Sequence, residues 1–342
     1  MNKLSRWLPA AAVPIVVVAG AVALPAMSAA GDVPDRRPEE VLDLIASSAG
    51  VAFSGTVEQT SELGLPELPE SDMKGYGSSD ESAVVEFLTG DHSARVFSDG
   101  AEGQRVQLLD RLAERDLIRN GSEVWAYDSK RDEAIHAVLP EDAEWSAPAT
   151  PPDLAEALLA KIDPTTAVSV ESGNRVAGRE VYDLILTPRT EESLVAEIEL
   201  SVDADTGLPL RVEVDSTDGT DDAVSVGFRE IDYDTPSPDL FTFTPAEGTV
   251  VHEKQPTPGV APAMPEPPEP VVTGEGWASV VELPGDVLAS ADPEQAALFE
   301  QLTVAVPEGR VLSTSLVSVL FTSDGRVLAG AVPVETLQAA AR

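Results

Sequence analysis

The chain has 342 residues and a formal net charge of −38, with 43% hydrophobic and 24% charged residues. This is the composition of a globular protein of about two domains, and so large an excess of carboxylates opposes binding to phosphate backbones and excludes nucleic acid as a partner. The chain has no cysteine, which excludes a disulfide framework, thiol chemistry and lipid attachment at an N-terminal cysteine.

The first 30 residues have the pattern of an export signal. Lys3 and Arg6 form a basic start, residues 7–27 are an apolar run, and small residues follow up to Ala30. The run is long enough to span a bilayer, so the pattern fits either a cleaved signal peptide or an uncleaved N-terminal membrane anchor. Both alternatives predict that the rest of the chain is exported and lies outside the cytoplasmic membrane, either secreted or periplasmic, or tethered to the membrane.

The segment after the signal predicts a helix and then several strands. Residues 38–49 place their apolar side chains on one helical face and are followed by Gly50. From Ala52 the period changes to two, which predicts a strand with one buried face. Further strand-like segments follow, separated by turn sequences such as Asn120-Gly121; they cover residues 82–88, 93–97, 105–109, 115–119, 123–127 and 133–138.

A second helix is predicted at residues 150–162, with Thr150 as N-cap and Pro151 at its first position. Five strands with clean alternation follow it, at residues 167–172, 180–186, 194–202, 208–215 and 223–231. A sheet of this size with one apolar face must curl around a cover, because a flat sheet would expose too much apolar surface. We therefore predict a mainly β (α+β) fold, in which residues 31–250 form a curved antiparallel sheet of about eleven strands, an open half-barrel with short covering helices.

The apolar face of this sheet is the candidate binding site. Its side chains are mostly aliphatic, and the predicted helices are short, so the face is either a filled core or a groove for an acyl chain or an apolar peptide. Both alternatives remain open at the level of sequence. By strand parity the residues of this concave face are Phe53, Val57, Tyr182, Leu184, Ile198, Leu200, Val212, Val226 and Phe228.

The chain beyond residue 250 predicts a linker and a second domain. Residues 251–274 are rich in proline and lack periodicity, which is typical of an extended linker. Residues 275–342 predict a small α+β domain. Its expected elements are a strand at 277–283, a helix at 292–302, a hairpin within 311–332 and a helix at 333–340.

The sequence offers little catalytic chemistry. The chain's three histidines, His92, His136 and His252, lack the close spacing of a metal pair, and no nucleotide-binding, metalloprotease or serine-hydrolase motif occurs. Aspartates near two predicted turns, including Asp203 and Asp218, could be interpreted as a calcium site, but turns require the same residues. We predict no enzyme activity, no cofactor and no metal.

Four segments, in order and spacing, resemble the lipoprotein-carrier superfamily that includes LolA and RseB. They are Phe53-Ser-Gly-Thr56, the Arg119-Asn-Gly turn with Val124-Trp-Ala-Tyr-Asp128, Asp203-Ala-Asp-Thr-Gly-Leu-Pro-Leu210, and Phe241-Thr-Phe-Thr-Pro245. The resemblance covers about residues 38–250. It implies an open half-barrel, lidded by helices, that holds lipid acyl chains in its concave face and is not an enzyme.

The presence of a second domain distinguishes two kinds of protein within that superfamily. Carriers have one domain, whereas RseB-type regulators add a smaller C-terminal domain and bind the periplasmic part of an anti-sigma factor. This chain is similar to the regulators in layout, but residues 275–342 contain no motif that we can assign to them. The expected function is binding of lipid or lipoprotein acyl chains in the concave groove; the alternative is an envelope-stress regulator with an anti-sigma factor or another membrane protein as partner.

Overall fold

The computed structural model describes residues 33–65, 91–110, 113–140, 150–254, 271–284 and 299–342. The predicted strand at 82–88, most of the predicted helix at 292–302 and most of the predicted linker lie outside these ranges. The described residues form two units, each built on one antiparallel sheet.

The first unit is a large open sheet. Its order is β12-β6-β5-β4-β3-β2-β1-β11-β10-β9-β8-β7, so β12 and β7 are its edges. All its neighbours are antiparallel except β12, which pairs in parallel with β6. The strands are β1 (Phe53–Ser61), β2 (His92–Ser98), β3 (Gly103–Asp110), β4 (Ala113–Asn120), β5 (Glu123–Asp128), β6 (Glu133–Val138), β7 (Thr166–Val176), β8 (Arg179–Pro188), β9 (Val195–Asp203), β10 (Pro209–Ser216), β11 (Val224–Asp232) and β12 (Val250–Lys254).

The second unit is a smaller sheet of order β13-β14-β18-β17-β16-β15. Helix α3 (Val334–Ala340) packs on β17 and β18 and buries Leu337 in a core of its own with Val311, Leu320 and Leu328. The strands are β13 (Val271–Thr273), β14 (Val280–Pro284), β15 (Val304–Val306), β16 (Gly309–Ser313), β17 (Ser318–Thr322) and β18 (Arg326–Gly330).

Two short helices cover one face of the large sheet, which we call the inner face. Helix α1 (Pro38–Ser47) packs on β7 and β8, and helix α2 (Pro151–Leu159) packs on β10 and β11. Helix α2 begins as predicted: the Thr150 hydroxyl accepts a hydrogen bond from the Asp153 N–H, and proline follows the N-cap. Because the apolar side chains alternate along every strand, they reach the same face and meet the helices.

The predicted fold class is confirmed: the chain is mostly β, with a large open sheet, few short helices and a second sheet. The large sheet has one more strand than the count of about eleven, because residues 250–254, assigned to the end of the first domain and the start of the linker, form β12 beside β6. Strand β13 likewise occupies residues 271–273 at the other end of the predicted linker. The predicted strand at 277–283 begins instead with a 3-10 turn, Gly276–Ala278. No helix within the described ranges is long and apolar enough to cross a bilayer.

The aspartate-rich turn after β9 is held by an ion-pair network. Asp203 is fully buried and pairs with Arg179 at 2.7 Å. It also accepts hydrogen bonds from the Thr206 N–H and from the Tyr233 hydroxyl. Arg179 reaches the exposed Asp205 as well. The Asp203 carboxylate therefore stabilises the turn, as the preference of hairpin turns for aspartate predicts.

Candidate functional site: the inner face of the large sheet

All nine residues predicted for the concave face are buried, with 0–7% of their surface exposed. Five of them lie in β8–β10 and share a cluster with α1 and α2; the other four lie in β1 and β11 and form part of an adjoining cluster. The strand register joins the two groups, because Leu184, Leu200 and Val212 of the first stand side by side with Val226 of the second across β8–β11. The structure thus places all nine on one face, beneath covers.

Three elements form these covers. Val41 of α1 and Ala155 of α2 are fully buried against the strands. The third cover comes from the second unit, which contributes Trp277, Leu316 and Ala331 to the same cluster. We call the part of the inner face on β1 and β7–β11 the sealed half.

The inner face continues beyond the sealed half into β3–β6, which we call the open half. Val106 is buried at the boundary, but Leu108, Leu117, Ala126 and Ile135 are only partly buried. Leu117, Ala126 and Ile135 are direct cross-strand neighbours, so their side chains form an apolar row. Sequence reasoning did not include these residues in the site, although the alternation in β4 and β5 contained the signal.

Two arginines share the inner face of the open half. Arg115 and Arg119 flank Leu117 on β4, and alternate residues of a strand face the same way. The Arg119 Nε–H donates to the Gly121 carbonyl at 2.9 Å, which fixes the base of its guanidinium. The open half therefore combines an apolar row with charges of both signs, because Asp128 stands opposite Arg115 and Glu133 stands opposite Asp128 on the same face.

The outer face of the open half is covered by the 3-10 turn Pro238–Phe241 and by Phe243. Phe241 is buried against β3 and β4, and the Leu240 carbonyl accepts a hydrogen bond from Arg105 at 3.3 Å. Phe243 packs on Trp125, with ring centroids 5.2 Å apart, and on Tyr127. The open half is thus covered on its outer face, whereas the sealed half is covered on its inner face.

His136 of β6 connects edge strand β12 to β5. Its ring stacks on Trp125 at 4.2 Å and bridges Glu123 of β5 and Glu253 of β12. The hydrogen bond with Glu123, followed by the one with Glu253, raises the pKa of His136 against the opposing effect of burial. This bridge adds a side-chain link to the backbone pairing of β12 with β6.

Carboxylates crowd the outer face of the sealed half. Asp183 is buried and accepts hydrogen bonds from Asn174 and Ser201. Burial, and then the charges of Asp183 and Glu213, raise the pKa of Glu199 to about 7. Among the described residues no group of His, Asp and Glu is arranged to hold a metal ion.

Two cavities adjoin the inner face. One of about 70 Å³ lies under the start of α2, lined by Phe53, Val106 and Pro152, and burial raises the pKa of the adjacent Asp153 to about 6. The other, of about 590 Å³, is a cleft between the large sheet and the second unit, lined among others by Thr165 and Arg189. The first is too small for an acyl chain, and the nine residues of the sealed half are 0–7% exposed, so occupation of the sealed half requires a cover to move.

Comparison with known proteins gives structural matches only. No family model and no curated protein sequence matches the chain. Among solved structures it is similar to a chain of the Pseudomonas aeruginosa MucA/MucB complex, with 20% identity, coverage of 89% of this chain and 96% of that chain, and a TM-score of 0.44. A LolA superfamily protein from Nitrosomonas europaea matches at 12% identity over 61% of this chain and 99% of that chain, with a TM-score of 0.25.

Proposed function

We propose that this chain is a non-enzymatic, extracytoplasmic binding protein that holds an acyl chain of a lipid or lipoprotein on the inner face of its large sheet. The nine residues of the sealed half form the deep part of the site. Leu108, Leu117, Ala126 and Ile135 of the open half form its accessible part.

The partly exposed row of the open half carries this proposal. Apolar side chains that stay exposed on the inner face of a sheet, next to a large aliphatic core, are typical of a binding groove. The row is aliphatic, so it matches an acyl chain, whose burial is favourable by about 25 cal/mol per Å² without any charge pairing.

The ligand class can be tested on residues 31–342 purified from a bacterial envelope, by native mass spectrometry with lipid extraction. We expect co-purifying lipid or acylated peptide. A protein that carries none, and that also takes up no fluorescent fatty acid after delipidation, would contradict the proposal.

Two variants on one strand locate the site. Leu108→Glu places a charge on the inner face of β3, whereas Gln107→Glu places the same side chain on its outer face. We expect Leu108→Glu to weaken fatty-acid binding at least tenfold, because the charge must be desolvated against the acyl chain. Equal losses from both variants would show that the open half is not the contact surface.

A second candidate function is regulation through a membrane-protein partner, such as an anti-sigma factor. The observation that favours it is edge strand β13, where Val271 and Val272 are 58% and 55% exposed. An exposed strand edge with apolar side chains accepts an extended peptide by strand addition. A photoreactive residue at Val272 should then cross-link to an envelope membrane protein, and the absence of cross-links in envelope extracts would count against this function.

A further inference from the structure

The second unit contacts one end of the large sheet through backbone groups. This end, where β7, β9 and β11 begin, is called the Thr166 end below. The Leu194 N–H donates to the Ala331 carbonyl at 2.8 Å, and the Ser315 N–H donates to the Leu63 carbonyl at 3.2 Å. The Ser216 hydroxyl also donates to the Ser315 carbonyl, at 2.7 Å. Residues 194, 216 and 63 all border the inner face at this end.

Apolar side chains of the second unit enter the inner face at the same place. Trp277, Leu316 and Ala331 are only 1%, 7% and 2% exposed, and they belong to the cluster that contains Leu200. The Trp277 indole N–H also donates to the Thr166 hydroxyl. The second unit therefore completes the core of the sealed half, in addition to folding around its own.

We propose that residues 314–317, together with Trp277 and Ala331, form a removable seal over the Thr166 end of the acyl-chain site. An acyl chain that extends from the open half into the sealed half replaces these side chains, so lipid binding and docking of the second unit oppose each other. This inference rests on the proposed function and adds to it a way in which acyl-chain binding is regulated.

Three features make the seal removable. The second unit has a separate core, including Val311, Leu320 and Leu337, so it can leave without unfolding. The contact is interrupted by the cleft of about 590 Å³, whose lining includes Arg189 and Glu275. The residues that enter the inner face are few, and interfaces of this kind between units of one chain permit relative motion.

Gly276 offers a way to open the seal without changing the apolar face. A Cβ at this position would lie 2.0 Å from the Thr165 hydroxyl oxygen, so Gly276→Ala forces the units apart. Gly178→Ala is the control for positive-φ strain, because Gly178 has a φ of +79° and a Cβ there meets nothing within 4 Å. Leu316→Asp opens the seal independently, by making its burial unfavourable.

The experiment measures binding of a fluorescent palmitate analogue to delipidated residues 31–342. We expect Gly276→Ala and Leu316→Asp to lower the apparent Kd about tenfold relative to the wild type and Gly178→Ala, because a closed population reduces apparent affinity. Hydrogen exchange of the Leu194 amide, which donates to Ala331, should speed up in both variants and also in the wild type on adding lipid. The double variant Gly276→Ala/Thr165→Gly should restore wild-type affinity.

The outcomes separate the two proposals. Faster exchange at Leu194 with unchanged affinity in both variants would overturn the seal and leave the acyl-chain site intact. If neither the wild type nor any variant binds the probe, the proposed function fails and the seal fails with it. Unchanged exchange at Leu194 when the wild type binds lipid would also overturn the seal.

Discussion

The sealed half and the open half of the large sheet have the same alternation of apolar and polar residues but are covered on opposite faces. In the sealed half, helices and the second unit cover the inner face, and carboxylates such as Glu199 occupy the outer face. In the open half, Phe241 and Phe243 cover the outer face, and the inner row around Leu117 stays partly exposed. Alternation therefore determines which side chains share a face, and the elements packed on that face determine whether it is core or site.

The largest expected difference between the halves is the loss in free energy of unfolding when a leucine of the inner face is truncated to alanine. Leu200→Ala removes a fully buried side chain of the sealed half and should lower the free energy of unfolding by about 2–5 kcal/mol. Leu117→Ala in the open half should cost about 1 kcal/mol, because less surface is buried there. Urea unfolding of both variants measures this difference, and equal losses would mean that the two halves are packed alike.

The next effect concerns the end of the sealed half opposite the second unit. Burial opposes the charge of Asp203, but hydrogen bonds from Arg179, Thr206 and Tyr233 hold its pKa below the usual range. Asp203→Asn should therefore cost about 2–3 kcal/mol at pH 7. Since the folded-state pKa is lowered, this contribution is present above the unfolded-state pKa and is lost as the pH falls through the folded-state pKa.

The control for Asp203 is its neighbour Asp205. Asp205 pairs with the same arginine, but its side chain is 81% exposed. Asp205→Asn should change the free energy of unfolding by about 0.5 kcal/mol or less. A similar loss from both variants, in urea unfolding at pH 7, would contradict the role of burial in this network.

A smaller effect, of opposite sign, is expected on the outer face of the sealed half. The pKa of Glu199 is raised to about 7, so the folded state binds its proton more tightly than the unfolded state, and stability falls as the pH rises between the two pKa values. Glu199→Gln should stabilise the protein by about 1–2 kcal/mol at pH 8, after allowance for solvent screening, and have little effect near pH 4. Thermal unfolding at the two pH values checks this; destabilisation at pH 8 would contradict it.

The smallest effect is expected at His136 of β6, which bridges Glu123 and edge strand β12. Its raised pKa means that the contribution of the Glu123–His136–Glu253 bridge is present below the unfolded-state pKa and is lost as the pH rises through the folded-state pKa. His136→Gln should cost about 1 kcal/mol or less at pH 6 and speed up amide exchange in residues 250–254. Exchange there that does not depend on pH, after correction for intrinsic rates, would count against the bridge.

Local patterns were sufficient to predict most of the large sheet. The strands from β7 to β11 were predicted from alternation alone, and Thr150 at the start of α2 followed from capping rules. Strand β12 was missed because its partner, β6, is more than 100 residues earlier in the chain, and a parallel pairing over that distance leaves no local signal.

The cover of the candidate site could not be predicted. The parity of Leu200 and Val212 predicts that they face inward, but nothing in their own strands indicates that Leu316 and Trp277 pack on the same cluster. Trp277 was predicted to begin a strand, whereas it lies in a 3-10 turn and its indole N–H donates to Thr166 of the first unit. Burial by a distant part of the chain is a tertiary property, so sequence left the choice between core and groove open.

The position of β12 has a mechanical consequence. The chain leaves the large sheet at one edge, after Lys254, and re-enters at Val271 in the unit that docks near the opposite edge strand, β7. Residues 255–270 join these two places covalently, so a load on the second unit passes along the chain to β12 rather than to β7, beside which the unit docks. Since β12 is an edge strand paired only with β6, a pull on the second unit is expected to peel the large sheet from the edge opposite its docking site.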